Sequence, residues 1–218
     1  ASGGGMSTLA AYMAELPLIA ILRGLRPDEA AGIGQALFDA GFRIIEVPLN
    51  SPEPLQSIAK LADTMGNRAL IGAGTVLSAQ AVDEVAAANG RLIVMPHGDG
   101  AVIRQAKAGG LYCLPGVATP TEAFAALAAG ADGLKMFPGE LLPPGAVKAW
   151  RAVLPAGLAL LPVGGITPDK IAAYCAAGAS GFGLGSALYK PGMTAVEVSQ
   201  SAGAFVAAWR DISSPDFQ

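Results

Sequence analysis

Charged residues are scarce in this sequence of 218 residues, where Asp, Glu, Lys and Arg together make up 14%, against about 25% in an average soluble protein. The 14 basic and 17 acidic side chains leave a net charge of -3, which provides no basic surface for binding nucleic acid. Because apolar residues account for 52% of the chain, we expect a large buried core and exclude intrinsic disorder.

Cysteine and histidine are also rare, with two residues of the first and one of the second. Cys113 and Cys175 stand apart in apolar surroundings, so we expect two free thiols in a reducing compartment rather than a disulfide or a metal site. His97 follows Pro96 and is expected to lie in a loop without a catalytic role.

No segment predicts a membrane span or a secretory signal. The longest uncharged stretch, residues 171–189, contains four glycines and changes from helical to strand character midway, whereas a spanning helix is uniformly apolar. No basic segment followed by an apolar one marks a signal peptide, and we expect a cytoplasmic protein. Residues 1–5, Ala-Ser-Gly-Gly-Gly before Met6, are expected to be a cloning remnant, and residues 6–218 a single domain.

Eight short runs rich in Ile, Leu and Val recur along the chain and begin 19 to 26 residues apart. Most are apolar throughout, which is typical of strands buried on both faces. The predicted strands are 18–22, 44–49, 69–74, 92–96, 111–116, 133–138, 158–165 and 181–186.

Ala-rich segments with helical periodicity lie between these strands. Four of them stop at a glycine, as helices commonly do, and two begin with threonine followed by proline, which is typical of a helix start. The predicted helices are 28–40, 79–89, 121–129 and 168–177, with an additional helix over 6–16 and a last helix over 195–210.

Eight strand–helix units with a period of about 23 residues predict a parallel sheet with helical crossovers. Eight units favour closure into a (β/α)8 TIM barrel, here with an extra N-terminal helix. The alternative is an open doubly wound sheet, which would favour Gly-x-Gly-x-x-Gly after the first strand; residues 23–27 read Arg-Gly-Leu-Arg-Pro instead. Active sites of barrels lie at the carboxyl ends of the strands, so polar residues there are the candidates.

Two charged residues lie inside otherwise apolar predicted strands, Lys135 and Glu46. Burial lowers the pKa of a lysine, which makes its amine a nucleophile able to form a Schiff base with a carbonyl, and a nearby carboxylate can move protons. Alternatively, Lys135 reaches water through its long stem and Glu46 is a structural partner for Lys135 or Arg23. Their occurrence together favours covalent chemistry.

Glycines end the seventh and eighth predicted strands, as Gly164-Gly165 and as Gly183-Leu184-Gly185-Ser186. Backbone N–H groups at helix N-termini bind anions, and barrels often bind phosphate at the loops after these two strands. The alternative is that the glycines only permit tight turns. Both pairs in these positions favour a phosphate site.

Two further polar residues end the first and third predicted strands. Arg23 could clamp a carboxylate with two hydrogen bonds, and Thr75 could add a hydroxyl. For Arg23, an ion pair at the surface is the alternative.

Several segments between about residue 17 and residue 210 match one known family in order and spacing. They are 20–24 (Ala-Ile-Leu-Arg-Gly), 46–51 (Glu-Val-Pro-Leu-Asn-Ser), 71–76 (Ile-Gly-Ala-Gly-Thr-Val), 115–122 (Pro-Gly-Val-Ala-Thr-Pro-Thr-Glu), 135–138 (Lys-Met-Phe-Pro) and the two glycine pairs. These segments resemble the class I KDPG/KDPGal aldolases. The resemblance implies a metal-free, cofactor-free homotrimer that cleaves 2-keto-3-deoxy-6-phospho sugar acids to pyruvate and D-glyceraldehyde 3-phosphate.

The resemblance also implies a role for each candidate residue. These roles are Schiff-base formation for Lys135, acid–base catalysis for Glu46, binding of the pyruvyl carboxylate for Arg23 and Thr75, packing against the substrate chain for Phe137, and phosphate binding for Gly164, Gly165, Gly185 and Ser186.

Two residues depart from the gluconate branch of that family. Asn50 stands where the branch has Arg, four residues after the catalytic Glu, and Val163 stands where it has Thr, just before Gly-Gly. Valine would leave the C4 hydroxyl of one substrate epimer without a partner, which penalises that epimer. The pattern therefore resembles the galactonate branch, whose substrate is 2-dehydro-3-deoxy-6-phospho-D-galactonate.

Three alternatives stay open at this point. A KDPG or dual-specificity KDPG/KHG-type aldolase would share the reactive lysine. Another phosphate-binding barrel enzyme, such as an isomerase or a thiamine-phosphate-synthase-like protein, would share the glycine cradle without needing Lys135 as a nucleophile. A non-catalytic ligand-binding barrel would leave the buried Lys135 and Glu46 unexplained.

Overall fold

Parallel strands form the centre of the computed structural model, which describes residues 8–213. The expected cloning remnant at residues 1–5 lies outside the described residues. The fifth predicted strand is split in two because Pro115 has no N–H to donate to a ladder. The strands are β1 Leu18–Ile21, β2 Ile44–Pro48, β3 Leu70–Gly74, β4 Leu92–Val94, β5 Tyr112–Leu114, β6 Gly116–Val117, β7 Gly133–Met136, β8 Ala159–Pro162 and β9 Phe182–Leu184.

The strands close into a barrel. One sheet has the order β5-β4-β3-β2-β1-β9 and a second has the order β6-β7-β8. Pro115 joins β5 to β6 along the chain, and a parallel bridge between Val163 and Gly183 joins the end of β8 to β9. This arrangement confirms the predicted (β/α)8 TIM barrel and excludes the open doubly wound sheet.

Helices cover the outside of the barrel, and side chains that cap the backbone help to determine where they begin. Helix α6 begins with a capping box, in which the Glu122 N–H donates to Thr119 Oγ1 and the Thr119 N–H donates to Glu122 Oε2. The helices are α1 Leu9–Glu15, α2 Ala30–Ala40, α3 Pro54–Met65, α4 Ala79–Ala87, α5 Gly100–Ala108, α6 Pro120–Ala128, α7 Pro144–Arg151, α8 Ile171–Ala176 and α9 Ala195–Ser213.

The extra N-terminal helix, predicted over 6–16, is α1, and it closes one end of the barrel. Leu9 and Tyr12 of α1 are buried, and they form one apolar cluster with inward-facing strand residues. Those strand residues include Ile19, Ile44 and Leu70. Since this amino-terminal end is filled with apolar side chains, polar chemistry inside the barrel is confined to the other end.

Three further properties bear on function. No helix within residues 8–213 is long and apolar enough to cross a membrane. Both cysteines, Cys113 and Cys175, are free thiols. The exposed His97 lies outside the regular elements, after β4.

Candidate active site

Glu46 on β2 and Lys135 on β7 lie in the barrel interior, just above the apolar layer. Side chains alternate between the two faces of a strand, so Glu46 points the same way as Ile44, two residues before it. They are the buried charged residues of the described chain, with 2% of Glu46 and 6% of Lys135 exposed. The predicted pair is therefore placed in one interior space.

The Glu46 carboxylate lies directly against the backbone of Gly74. A Cβ atom built on Gly74 would collide with both carboxylate oxygens of Glu46, so only glycine leaves room for the acid at this position. Glu46 Oε2 has no hydrogen-bond partner among the described residues. A buried carboxylate oxygen without a partner is costly, which favours protonation of the carboxyl group.

Burial shifts the pKa values of both Glu46 and Lys135 in the direction that favours the neutral form of each side chain. It raises the pKa of Glu46 to about 7, against the opposing charges of Lys135 and Arg23. It also lowers the pKa of Lys135, a change that the Glu46 carboxylate opposes and Arg23 reinforces. The site thus combines an amine that loses its proton more readily than an ordinary lysine with a carboxyl group that exchanges its proton near neutral pH.

Arg23 follows β1, and two neighbouring strand ends hold its guanidinium. Its Nη1 donates to Oδ1 of Asn50 and, at 3.4 Å, to Oγ1 of Thr75. Thr75 has φ = 55°, a left-handed conformation that is rare for a β-branched residue. The surface ion pair considered for Arg23 is absent from the described residues, and the role of Asn50 in holding Arg23 was missed from sequence.

A cavity of about 330 Å³ opens beside Lys135 at the carboxyl ends of the strands. The Lys135 Nζ lies 4.6 Å from the centre of the Phe137 ring. Glu46, Thr75 and Gly165 are outside the wall of this cavity. Thr75 is connected to the wall by the hydrogen bond that it accepts from Arg23. The predicted site residues in the wall are Arg23, Lys135, Phe137, Val163, Gly164, Gly185 and Ser186.

A larger cavity of about 870 Å³ lies at the opposite end of the barrel, between α1 and α9. None of the predicted site residues lines it. We therefore assign the candidate site to the smaller cavity, whose wall contains Lys135, the basic member of the pair with shifted pKa values.

The turn after β8 accounts in part for the presence of glycine at positions 164 and 165. Gly164 has φ = 110° and Gly165 has φ = 64°, and these values are strained for other residues. The side chain of Glu140 lies over both glycines, and a Cβ on Gly165 would be 2.8 Å from Glu140 Cγ. This acidic cover was missed from sequence, and phosphate binding at the pair stays a prediction.

The second glycine position is different. Gly185 is not in a left-handed conformation, and a Cβ built on it would meet nothing within 4 Å. Gly185 and the exposed Ser186 both line the cavity. The backbone here therefore faces open space that a ligand group can enter.

No group of three or more His, Cys, Asp and Glu side chains within residues 8–213 is placed to hold a metal ion. The charged side chains in the cavity wall are the basic residues Arg23, Lys135 and Lys190, and the charges of Arg23 and Lys135 act on the buried Glu46 carboxyl group. Their arrangement suits the binding of an anionic carbonyl compound and covalent capture of its carbonyl carbon by the amine.

Comparison with known proteins agrees with this chemistry. A protein of Rhizobium meliloti (strain 1021), named "Probable 2-dehydro-3-deoxy-6-phosphogalactonate aldolase", is 52% identical over 89% of this chain and 92% of its own. The Escherichia coli (strain K12) 2-dehydro-3-deoxy-6-phosphogalactonate aldolase is 49% identical over 92% of this chain and 98% of its own. A solved structure described as native KDPGal matches with a TM-score of 0.90 and 49% identity, over 91% of this chain and 97% of its own. A sequence model for the KDPG and KHG aldolases matches residues 9–202, and the chain belongs to this aldolase family.

Proposed function

We propose that this protein is a class I aldolase that cleaves 2-dehydro-3-deoxy-6-phospho-D-galactonate to pyruvate and D-glyceraldehyde 3-phosphate. The observation that carries the proposal is the buried Lys135 amine in the wall of a cavity, whose charge acts on the buried Glu46 carboxyl group of raised pKa. Two relatives about half identical to this chain carry the name of that aldolase. Val163 in the same wall supports the galactonate epimer as the substrate.

The reaction begins when the neutral amine of Lys135 adds to the C2 carbonyl of the substrate. The carbinolamine loses water and becomes an iminium, which accepts the electron pair of the C3–C4 bond as that bond breaks. Glu46, directly or through a water molecule, takes the proton of the C4 hydroxyl as D-glyceraldehyde 3-phosphate leaves. Return of this proton to C3 of the enamine, followed by hydrolysis, releases pyruvate and restores the amine.

Binding is assigned to further residues of the cavity wall and to Thr75 and Gly165, which lie outside that wall. Arg23, held by Asn50 and Thr75, binds the C1 carboxylate, and Thr75 adds its hydroxyl. The Phe137 ring packs against the substrate chain. The phosphate is assigned to the backbone and hydroxyl groups of Gly164, Gly165, Gly185 and Ser186.

We also propose that the protein is cytoplasmic, as its two free cysteines suggest, and that it is a homotrimer, as the family resemblance implies. Sedimentation equilibrium at several protein concentrations tests the trimer. A mass of one chain at concentrations used for activity assays would contradict it.

Borohydride reduction in the presence of pyruvate tests the mechanism. Because the amine of Lys135 is expected to form an iminium with the keto carbon, reduction should fix one pyruvyl group on this residue. Peptide mass spectrometry then locates the modified lysine, and reduction without pyruvate is the control. Absence of the adduct, or its formation on another lysine only, would refute Schiff-base chemistry at Lys135.

Val163→Thr should shift the epimer preference toward the gluconate substrate. The Val163 side chain packs against Gly183, where a Cβ would lie 2.7 Å from Val163 Cγ2, and threonine fits the same volume because a hydroxyl replaces one of the two methyl groups. One new hydrogen bond is expected to change the ratio of kcat/KM for the two epimers by about tenfold. The measurement is kcat/KM for each epimer in both proteins.

Val163→Ala is the matched control for this substitution, because it changes packing without adding a hydroxyl. Its epimer ratio should not move toward the gluconate substrate. Equal turnover of both epimers by the wild-type protein would instead favour a dual-specificity aldolase and contradict the assignment of Val163.

A further inference from the structure

A third cationic side chain lines the cavity, and the proposed mechanism does not use it. Lys190, in the loop after β9, shares the wall with Arg23 and Lys135. Arg23 is held by Asn50, and Lys135 is buried. Lys190 is exposed, and within residues 8–213 its ammonium group makes no ion pair or hydrogen bond. It is therefore free to bind a ligand anion.

Backbone contacts hold Lys190 at the rim of the cavity. The N–H groups of Leu188 and Tyr189 donate to the Gly185 carbonyl at 2.9 and 3.0 Å, and the Met193 N–H donates to the Lys190 carbonyl at 3.1 Å. Tyr189, with 3% of its surface exposed, anchors the loop in the core. The position of Lys190 thus follows from the same turn that begins at Gly185.

The loop also reaches the end of β1. Pro191 packs against Gly24, where a Cβ would lie 2.5 Å from Pro191 Cγ. Gly24 is the residue after Arg23, so this contact connects the loop that bears Lys190 with the cation assigned to the substrate carboxylate. Lys190 and Arg23 therefore belong to one packed rim.

The two glycine positions differ in their electrostatics. The Glu140 carboxyl group lies over Gly164 and Gly165, so negative charge already faces this side. The Lys170 ammonium group also lies on this side, where it donates to the Gly165 carbonyl at 2.6 Å, and it offsets part of the repulsion that Glu140 exerts on a phosphate group placed there. On the other side, Gly185 and Ser186 face open space beside Lys190.

We propose that Lys190 is a phosphate-binding residue whose ammonium group pairs with the substrate phosphate on the side of Gly185 and Ser186. This inference rests on the proposed function, since it takes the phosphorylated aldehyde half of the substrate as the ligand. The Lys190 ammonium group would add a positive charge to a phosphate site that otherwise consists of backbone N–H groups and the Ser186 hydroxyl.

Lys190→Met removes the charge and keeps most of the stem. In the synthesis direction, with pyruvate, kcat/KM is measured for D-glyceraldehyde 3-phosphate and for unphosphorylated D-glyceraldehyde. We expect the ratio of the two values to fall about tenfold, through the KM of the phosphorylated aldehyde, as for loss of one charge-assisted hydrogen bond. Lys190→Arg should restore most of the ratio.

Lys148→Met is the matched control, because Lys148 is an exposed lysine on α7 that does not line the cavity. Its ratio should equal that of the wild-type protein. A ratio in Lys190→Met within twofold of wild type would overturn the role of Lys190, and so would a wild-type protein that does not prefer the phosphorylated aldehyde.

Reduction with borohydride and pyruvate separates this inference from the proposed function, because pyruvate has no phosphate. An adduct on Lys135 together with an unchanged ratio in Lys190→Met would refute only the role of Lys190. A wild-type protein that forms no adduct would refute the proposed function itself. If the wild-type protein and Lys190→Met both form the adduct and the ratio is lowered in Lys190→Met, the proposed function and the role of Lys190 are both supported.

Discussion

Lys135→Met is expected to lower kcat by about 10⁴-fold or more and to abolish the adduct that borohydride forms with pyruvate. Methionine has nearly the length of lysine but offers no amine, so neither the carbinolamine nor the iminium can form. The measurements are turnover of the phosphorylated galactonate substrate and peptide mass spectrometry after reduction. Retention of more than one per cent of turnover would contradict a covalent mechanism at this residue.

The fold of this variant is expected to persist, because methionine suits the buried position. Lys148→Met serves as the control for general effects of removing a lysine and should keep full turnover. The lysine charge lowers the pKa of Glu46, so removal of that charge should raise the pKa of Glu46 from its value of about 7. Infrared spectroscopy of the carboxyl band during a pH titration would detect this change, and an unchanged titration would contradict the coupling of the two groups.

Glu46→Gln is expected to lower kcat by about 10²–10⁴-fold, the usual contribution of a general acid or base. The amide has almost the same shape as the carboxyl group, so it fits against Gly74, but it cannot carry the proton between the C4 hydroxyl and C3. Since Lys135 remains, the pyruvate adduct should still form, more slowly. Asp63→Asn, at an exposed position on α3, is the control and should keep wild-type turnover.

The same substitution should change how stability depends on pH. The folded protein holds the Glu46 proton up to about pH 7, whereas the unfolded chain releases it near 4.5. Between these values the folded state binds more protons, so the free energy of unfolding falls as pH rises, by about 3 kcal/mol in total. Above the pKa of Glu46 in the folded protein, this loss of stability is complete, and Glu46 no longer changes the free energy of unfolding as pH rises.

Urea unfolding of the wild-type protein and of Glu46→Gln, at intervals from pH 4.5 to pH 8, measures this contribution as the difference between the two curves. Comparing the proteins at each pH removes the slopes of groups that do not interact with Glu46. Lys135 does interact with it, and its lowered pKa acts in the opposite direction at higher pH, so the contribution of Glu46 is read from the part of the interval below pH 7. Parallel curves over the whole interval would show that the pKa of Glu46 is not raised.

The barrel and its reactive pair were predictable because both are expressed in local composition. Continuous apolar runs at a regular period are buried on both faces when helices cross between parallel strands. Within such runs Lys135 and Glu46 stand out, since an unpaired buried charge is costly. This contrast identified the pair without any knowledge of the distance between them.

The ends of helices and strands were less predictable, because each depends on the backbone conformation of one or two residues. Pro115 divides the fifth strand where an unbroken one was predicted. The predicted helix over 79–89, expected to stop at Gly90, ends at Ala87, and Asn89 takes a left-handed conformation with φ = 61°. Asparagine adopts this conformation more readily than most residues, so the turn forms one residue earlier.

The sequence by itself determined a (β/α)8 barrel with one buried lysine and one buried glutamate at the carboxyl ends of its strands. Only the tertiary structure decided which groups surround that pair. Asn50 holds Arg23 across 27 residues of chain, Glu140 covers the glycines after β8, and Lys190 reaches the rim next to β1. The reason is physical: closure of the barrel brings distant strand ends side by side, and no periodic pattern in the chain records which loop residues then meet.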